Sequence, residues 1–156
     1  MRKIDLLLEE YGSSHKNETN KTIHWICVPL IMFSLFGVIW QIPNPSFFSM
    51  ISDELNWVSL SLLAALIYYM QLSKWMFIGF VPVTMAIYFG NKYFAQFGVS
   101  THLIISLSIF VLAWIGQFYG HKIEGKKPSF LKDVQFLLIG PAWLLHFIFK
   151  KVGIPY

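Results

Sequence analysis

Charge is what this chain has least of. Asp, Glu, Lys and Arg make up 13% of its 156 residues and hydrophobic residues 56%, against roughly 25% and roughly 45–50% in ordinary soluble domains. The scarcity is uneven. No Asp, Glu, Lys, Arg or His stands between Trp25 and Ser52, and none between Leu103 and Gly120. A bilayer core about 30 Å thick takes roughly 20 mostly apolar residues per helix, so both runs are long enough to cross one. Cysteine is nearly missing too: Cys27 stands alone, which excludes an internal disulfide and a thiolate-based structural zinc site. There is no Gly-rich phosphate loop, no Gly-x-Ser-x-Gly elbow and no His-Glu-x-x-His pair, so the usual signatures of P-loop enzymes, serine hydrolases and zincins are lacking. The net charge is +4, but basic and aromatic residues are not interleaved in any polar segment, and a nucleic-acid surface is not expected.

What remains is a membrane pattern. Five apolar segments run over about 24–42, 57–72, 75–90, 102–120 and 134–149. The prolines of "IPNPS" at 42–46 end the first, and only Ser73 and Lys74 separate the second from the third, a tight helical hairpin. The stretch before the first segment is no signal peptide, because its apolar patch is short and meets Glu9 and Glu10 at once. Its Ile4, Leu7, Leu8 and Tyr11 instead share one stripe of a short helix expected to lie on the membrane surface. The expected fold is all-α: a single domain over residues 1–156, a multi-pass transmembrane helical bundle of four spans.

Basic residues orient it. Arg2, Lys3, Lys16 and Lys21 precede the first segment, the 43–56 loop has none, Lys74 marks the hairpin, Lys92 the next loop, and Lys122, Lys126, Lys127 and Lys132 fall in 121–132. An excess of Lys and Arg marks cytoplasmic loops, so the N-terminus, residues 11–24 and residues 121–132 are expected on one cytoplasmic face. The fifth segment is short and interrupted by Gly140-Pro141. A bent or re-entrant C-terminal segment would return Lys150 and Lys151 to that face.

Five histidines border these segments: His15, His24, His102, His121 and His146. Ionisable groups at membrane depth are costly and so are functional candidates. His15, His24 and His121 share the cytoplasmic face; His102 opens the fourth segment from the other side and reads as an ordinary interfacial residue. His146 reaches the others only if the fifth segment returns. His15 and His24 lie nine residues apart, about half a revolution out of phase on a continuous helix, so "KNETN" at 16–20 must turn the chain if both hold one ion. Asn20, four residues before His24, can ligate, orient an imidazole or cap a helix. Gln117, His121 and Glu124 line one face where the fourth segment ends, and Glu124 can serve as a ligand or simply pair with a lysine. Imidazoles with at most one carboxylate suit iron, zinc, copper or nickel rather than calcium or magnesium.

The residues Tyr11, His15, Asn17, Asn20, Ile23, His24, Val28 and Pro29, with "WIGQFYGHKIEGKKPSF" at 114–130 and "LLIGPAWLL" at 137–145, resemble the Mpo1-like family across nearly the whole chain. That resemblance implies an Fe(II)-dependent dioxygenase that uses O2 for α-oxidation of 2-hydroxy fatty acids, giving fatty acids one carbon shorter. It maps metal-binding histidines onto His15, His24 and His121. The fungal pattern carries its glutamate four residues after the motif histidine, where Glu124 follows His121 by three, and a glutamate where His146 stands. The fourth ligand is therefore His146 or Glu124. Lys16, Lys21 and Lys122 are available to neutralise a substrate carboxylate, and Glu124, Asn20 and Lys21 are the catalytic candidates. The implied membrane is the endoplasmic reticulum in eukaryotic relatives and the inner membrane for a bacterial form, to which the compact chain points. Two other functions fit the same residues: a zinc-dependent membrane lipid hydrolase, and a non-enzymatic small transporter or scaffold whose histidines take protons. Chain-length preference and oligomeric state are not written in the sequence.

Overall fold

The computed structural model describes residues 2–125 and 136–155. Lys126, Lys127 and Lys132, used above to orient the chain, and the start of the fifth segment lie outside the described residues. Among the described residues there are seven helices and no strand: α1 (Lys3–Gly12), α2 (Glu18–Ile39), α3 (Ser46–Ile51), α4 (Trp57–Leu72), α5 (Lys74–Ala95), α6 (Val99–Ile123) and α7 (Ile139–Val152). Two of them, α2 and α6, are long and apolar enough to cross a membrane.

Local chemistry sets most boundaries. Asn17 caps α2 by accepting from the backbone N–H groups of Thr19 at 2.9 Å and Asn20 at 3.3 Å, so the helix starts six residues before the apolar run beginning at His24. The capping role considered for Asn20 therefore belongs to Asn17, which frees the Asn20 side chain. Asn56 caps α4 through Ser59 N–H at 2.9 Å, and Ser73, the single residue between α4 and α5, caps α5. Gly98 precedes α6 at φ +93°, a conformation other residues adopt only with strain. The short α3 interrupts the 43–56 loop, and its Phe48 ring sits 5.2 Å from that of Trp57.

The Gly140-Pro141 pair stands at the start of α7. Pro141 lies in the first turn of α7, where the amide hydrogen it lacks has no intrahelical partner to lose. A turn at 136–138 precedes α7, whose 14 residues extend about 21 Å and fall short of a bilayer core. Against it α1 buries Ile4, Leu8 and Tyr11. The two helices run antiparallel: Tyr11 and Gly12 meet Gly140 and Trp143, while Asp5 lies within electrostatic reach of His146.

The most extensive contact joins α2 to α6, and small residues make it close. A Cβ on Gly116 would stand 2.6 Å from Cys27 Sγ, and one on Gly120 would strike Asn20 Oδ1. Cys27 and Ile31 pack there against Ala113 and Trp114. The α4–α5 hairpin stacks Tyr69 on Phe80, centroids 3.7 Å apart, and the Tyr69 hydroxyl donates to the Leu138 carbonyl at 2.7 Å. That bond fixes the hairpin turn at the end of the bundle where α7 begins. Outward, α4, α5 and α6 present large apolar side chains, among them Ile67, Met70, Ile78, Phe89, Leu112 and Ile115.

At the opposite end, His102 is a buried core residue rather than an interfacial one, 1% exposed. Asn91 donates its amide to the carbonyls of Phe33 and Ile87, so its Oδ1 accepts from His102 Nε2 at 3.0 Å. Gln41 donates to His102 Nδ1, also at 3.0 Å. Both ring nitrogens are thereby satisfied, and α2, α5 and α6 are tied together. Gly37 is the point of closest approach: an added Cβ would strike Ser106 Oγ and stand 2.8 Å from Asn91 Oδ1. Gly37→Val is expected to destabilise the protein by about 1–3 kcal/mol or more through overpacking. Ser106→Gly in the same chain is expected to recover part of the loss, read as non-additive melting temperatures in detergent.

Candidate metal centre

The turn that joins α1 to α2 builds the site. The chain leaves α1 at Gly12 and re-enters a helix at Glu18, so His15 sits in the link and can swing back over the first turns of α2. Its Nε2 then lies 2.8 Å from His24 Nε2. The third member, His121, comes from the last turn of α6, its ring 5.3 Å from that of His15 and 5.1 Å from that of His24. All three are buried, and one ligating nitrogen of each lies within 4.8 Å of the others.

The protonation pattern matters more than the proximity. His15 Nδ1 lies 2.7 Å from the Tyr11 carbonyl and His24 Nδ1 2.9 Å from the Asn20 carbonyl. A carbonyl oxygen only accepts, so each Nδ1 carries its proton and donates it. Each Nε2 then presents its lone pair, and the two are aimed at one another. Two acceptors at that separation repel unless something positive lies between them. Metal-bound histidines ordinarily donate their other ring N–H to a carbonyl or carboxylate, and two imidazole nitrogens each about 2.1 Å from an ion and roughly at right angles stand about 3 Å apart. The donor set therefore fits a transition-metal ion held by His15, His24 and His121.

Surrounding groups hold the imidazoles in place. Tyr11 stacks on His15, with centroids 4.2 Å apart and planes 16° from parallel, and Trp143 closes the other approach at 5.2 Å. In the sequence Tyr11 reads as part of the apolar stripe of a short helix; nothing in the spacing of Tyr11 or Trp143 announces that they flank His15.

Glu124 and Asn20 clamp the link. The Glu124 carboxylate, just past the end of α6, accepts from Lys16 N–H at 2.8 Å and Asn17 N–H at 2.9 Å through separate oxygens. The Asn20 amide donates to the same carboxylate at 3.1 Å and to the Ser14 carbonyl at 3.4 Å. Its orientation is thus fixed, and its Oδ1 is left buried without a hydrogen-bond partner against Gly120. Partial burial pushes the Glu124 carboxyl up, but the Asn17 and Lys16 amides and then Asn20 outweigh it and hold the group below its ordinary value. Three donors on one carboxylate describe a brace between α6 and the α1–α2 link, not an ion-pair partner for a lysine.

The structure does not bring the remaining candidates to the trio. Lys21 is held by Glu18 at 2.8 Å on the outer side of α2, and Lys16 and Lys122 side chains are exposed. His146 stays apart because α7 runs antiparallel to α1: it faces the first turn of α1 near Asp5, and Asp5 is six residues, about 9 Å of helix, from Tyr11. Gln117 is brought near, one turn before His121 on α6 and buried.

Removing the brace has a definite pH signature. A carboxyl whose folded value is lowered adds stability that is complete above its unfolded value, near 4.5, and is lost as pH falls through the folded value. Glu124→Gln is therefore expected to melt below the native protein at pH 7, with the gap narrowing towards pH 3. Metal affinity is expected to fall about 10–100-fold, as for other groups that support ligands. Melting curves over pH and a metal titration check both.

No curated protein and no solved structure shows significant similarity to this chain. The family model described as "2-hydroxy-palmitic acid dioxygenase Mpo1-like" matches residues 1–152, a range that contains the three converging histidines, the Glu124 brace and every helix, and the chain belongs to the Mpo1-like family.

Proposed function

We propose that this protein is a membrane-embedded, Fe(II)-dependent dioxygenase that shortens 2-hydroxy fatty acids by one carbon. The observation that carries the reading is the pair of facing Nε2 lone pairs on His15 and His24, with His121 as the third donor. The family description supplies the reaction class. A dioxygenase needs a metal that changes oxidation state, which favours iron over zinc, a redox-inert ion. The balance closes without an added reductant: a 2-hydroxy acid and O2 give the fatty acid one carbon shorter, carbon dioxide and water, the C1–C2 bond being the one broken.

Bound iron would supply the redox chemistry with O2 at the histidine cluster. The chain's own residues position and protect. Tyr11 and Asn20 carbonyls fix the imidazole tautomers so that both Nε2 atoms face inward. Trp143 and Tyr11 cover His15 and limit water. Glu124 keeps the α1–α2 link closed over α6 and acts through the histidines it positions. Lys16, in the α1–α2 link, and Lys122, in the last turn of α6, are exposed and available to an anionic substrate head.

We further infer that α2, α4, α5 and α6 are four membrane spans with the histidines on the cytoplasmic side. At 1.5 Å per residue α2, α5 and α6 extend about 33–38 Å and α4 about 24 Å, and the apolar side chains that α4, α5 and α6 turn outward suit lipid better than water. The excess of lysine and arginine before α2 and after α6 favours that orientation.

Protein purified without chelator or nickel resin is expected to hold close to one iron per chain and to consume one O2 for each 2-hydroxypalmitate shortened. His15→Ala, His24→Ala and His121→Ala are each expected to lose metal and turnover by more than the roughly 10–100-fold cost of losing a supporting group. Bound zinc with no oxygen uptake would favour the lipid-hydrolase reading instead. Full metal and turnover in all three variants would end the proposal.

A further inference from the structure

Two cavities within the bundle share walls. The smaller, about 30 Å³, lies beside Tyr11, whose ring stacks on His15, and is lined also by Gln117, Trp114 and Gly140. That volume holds little more than one or two water-sized molecules. Val28, Met32 and Pro141 separate it from a larger cavity of about 440 Å³ and line both. The larger one runs between α2, α5 and α7, and apolar side chains line it throughout, including Phe33, Phe80, Val83, Ala86 and Leu145. On its open side stand Trp25, Leu30 and Ile148, exposed by 40%, 40% and 45%.

We propose that the groove between α2, α5 and α7 holds the alkyl chain of the substrate, which enters sideways from the lipid with its polar head at the histidines. This rests on the reading of the protein as a 2-hydroxy fatty acid dioxygenase and goes beyond it by assigning the residues that hold the chain. The occupant must be polar at one end only. The smaller cavity carries Gln117 on its wall, whereas beyond Val28 and Met32 the lining side chains are apolar and offer a polar head no partner. An apolar void of this size beside exposed apolar surface fills with hydrocarbon rather than water. The shared walls Val28, Met32 and Pro141 set the groove beside the small cavity under Tyr11, the ring stacked on His15, and this placement distinguishes a substrate chain from an arbitrary lipid tail. Trp25 and Phe33 mark the groove along α2 over eight residues, about 12 Å, so the first part of a long chain is held and the remainder projects into the bilayer.

Ala86 offers a clean test, since its side chain is exposed and faces the groove, so a larger residue fills space without entering the core. Ala86→Trp is expected to lower kcat/KM for 2-hydroxypalmitate at least ten-fold and for 2-hydroxyoctanoate much less, with iron content unchanged. Leu112→Trp, on the outer face of α6 away from the groove, is expected to change neither. A 2-hydroxy acid with a diazirine at mid-chain is expected to label residues of α5 and α7 in detergent and in phosphatidylcholine vesicles, and to be displaced by unlabelled 2-hydroxypalmitate. Equal losses for both chain lengths, or labels confined to the outer faces of α4 and α6, would overturn the groove. Labelling that excess phosphatidylcholine displaces and 2-hydroxypalmitate does not would assign the groove to a bilayer lipid and overturn it equally. If the native protein oxidises no 2-hydroxy acid, the dioxygenase reading fails. Competed labelling on α5 and α7 in that case still supports an acyl-chain site.

Discussion

Two lone pairs pointed at each other from 2.8 Å are the constraint around which the rest of the structure is arranged. Neither imidazole can relieve the repulsion by changing tautomer, because each Nδ1 hydrogen is committed to a backbone carbonyl. Rotating a ring away would expose a buried donor and lose the bond to Tyr11 or Asn20, a cost of about 1–3 kcal/mol each. A cation between the nitrogens turns the repulsion into attraction, and the third imidazole, His121, approaches from a different helix. The site thus couples α1, α2 and α6 through three imidazoles that could hold a metal ion.

Holding such an arrangement requires the α1–α2 link to be tightly fixed, and Glu124 does this with a single carboxylate. Its two oxygens receive the consecutive amides of Lys16 and Asn17, and Asn20 adds a third donor. Charge-assisted bonds to backbone amides are worth more than neutral ones. The same brace requires α2 and α6 to approach closely, which Gly116 and Gly120 permit. The small residues of α6, the capping by Asn17 and the carboxylate beyond the helix end are therefore parts of one device. The buried network of His102, Asn91 and Gln41 at the far end fixes the same helices in register, so the α2–α6 pair is pinned at both ends.

Much of this was legible in the residues. The five apolar segments correspond to α2, α4, α5, α6 and α7, because charge depletion and Pro or Gly punctuation are local signals. The half-revolution between His15 and His24 required a turn near residues 16–20, and the link before the Asn17 cap supplies it. The charge pattern grouped His121 with them, and the structure brings the three together. Less legible were partnerships across the fold. Asn20 was weighed as cap, ligand or orienting group, and its actual bonds run to Glu124 and Ser14. His102 passed for an interfacial residue because its partners lie on α5 and at the end of α2. The Gly140-Pro141 pair marks the first turn of α7, and that placement depends on where the helix begins.

The sequence by itself determined an all-helical, apolar chain of the Mpo1-like family with histidines clustered at one end, since composition, periodicity and motif spacing are properties of neighbours along the chain. Only the tertiary structure decided which nitrogens face each other, that the Glu124 carboxylate takes up the Lys16 and Asn17 amides, that Lys21 and His146 stand apart from the trio, and where an apolar groove opens between α2, α5 and α7. Those outcomes depend on helix phase and antiparallel placement: α7 runs against α1 so that Trp143 reaches His15 while His146 faces Asp5. No spacing within a single segment encodes that choice, because it is made by the packing of segments more than a hundred residues apart.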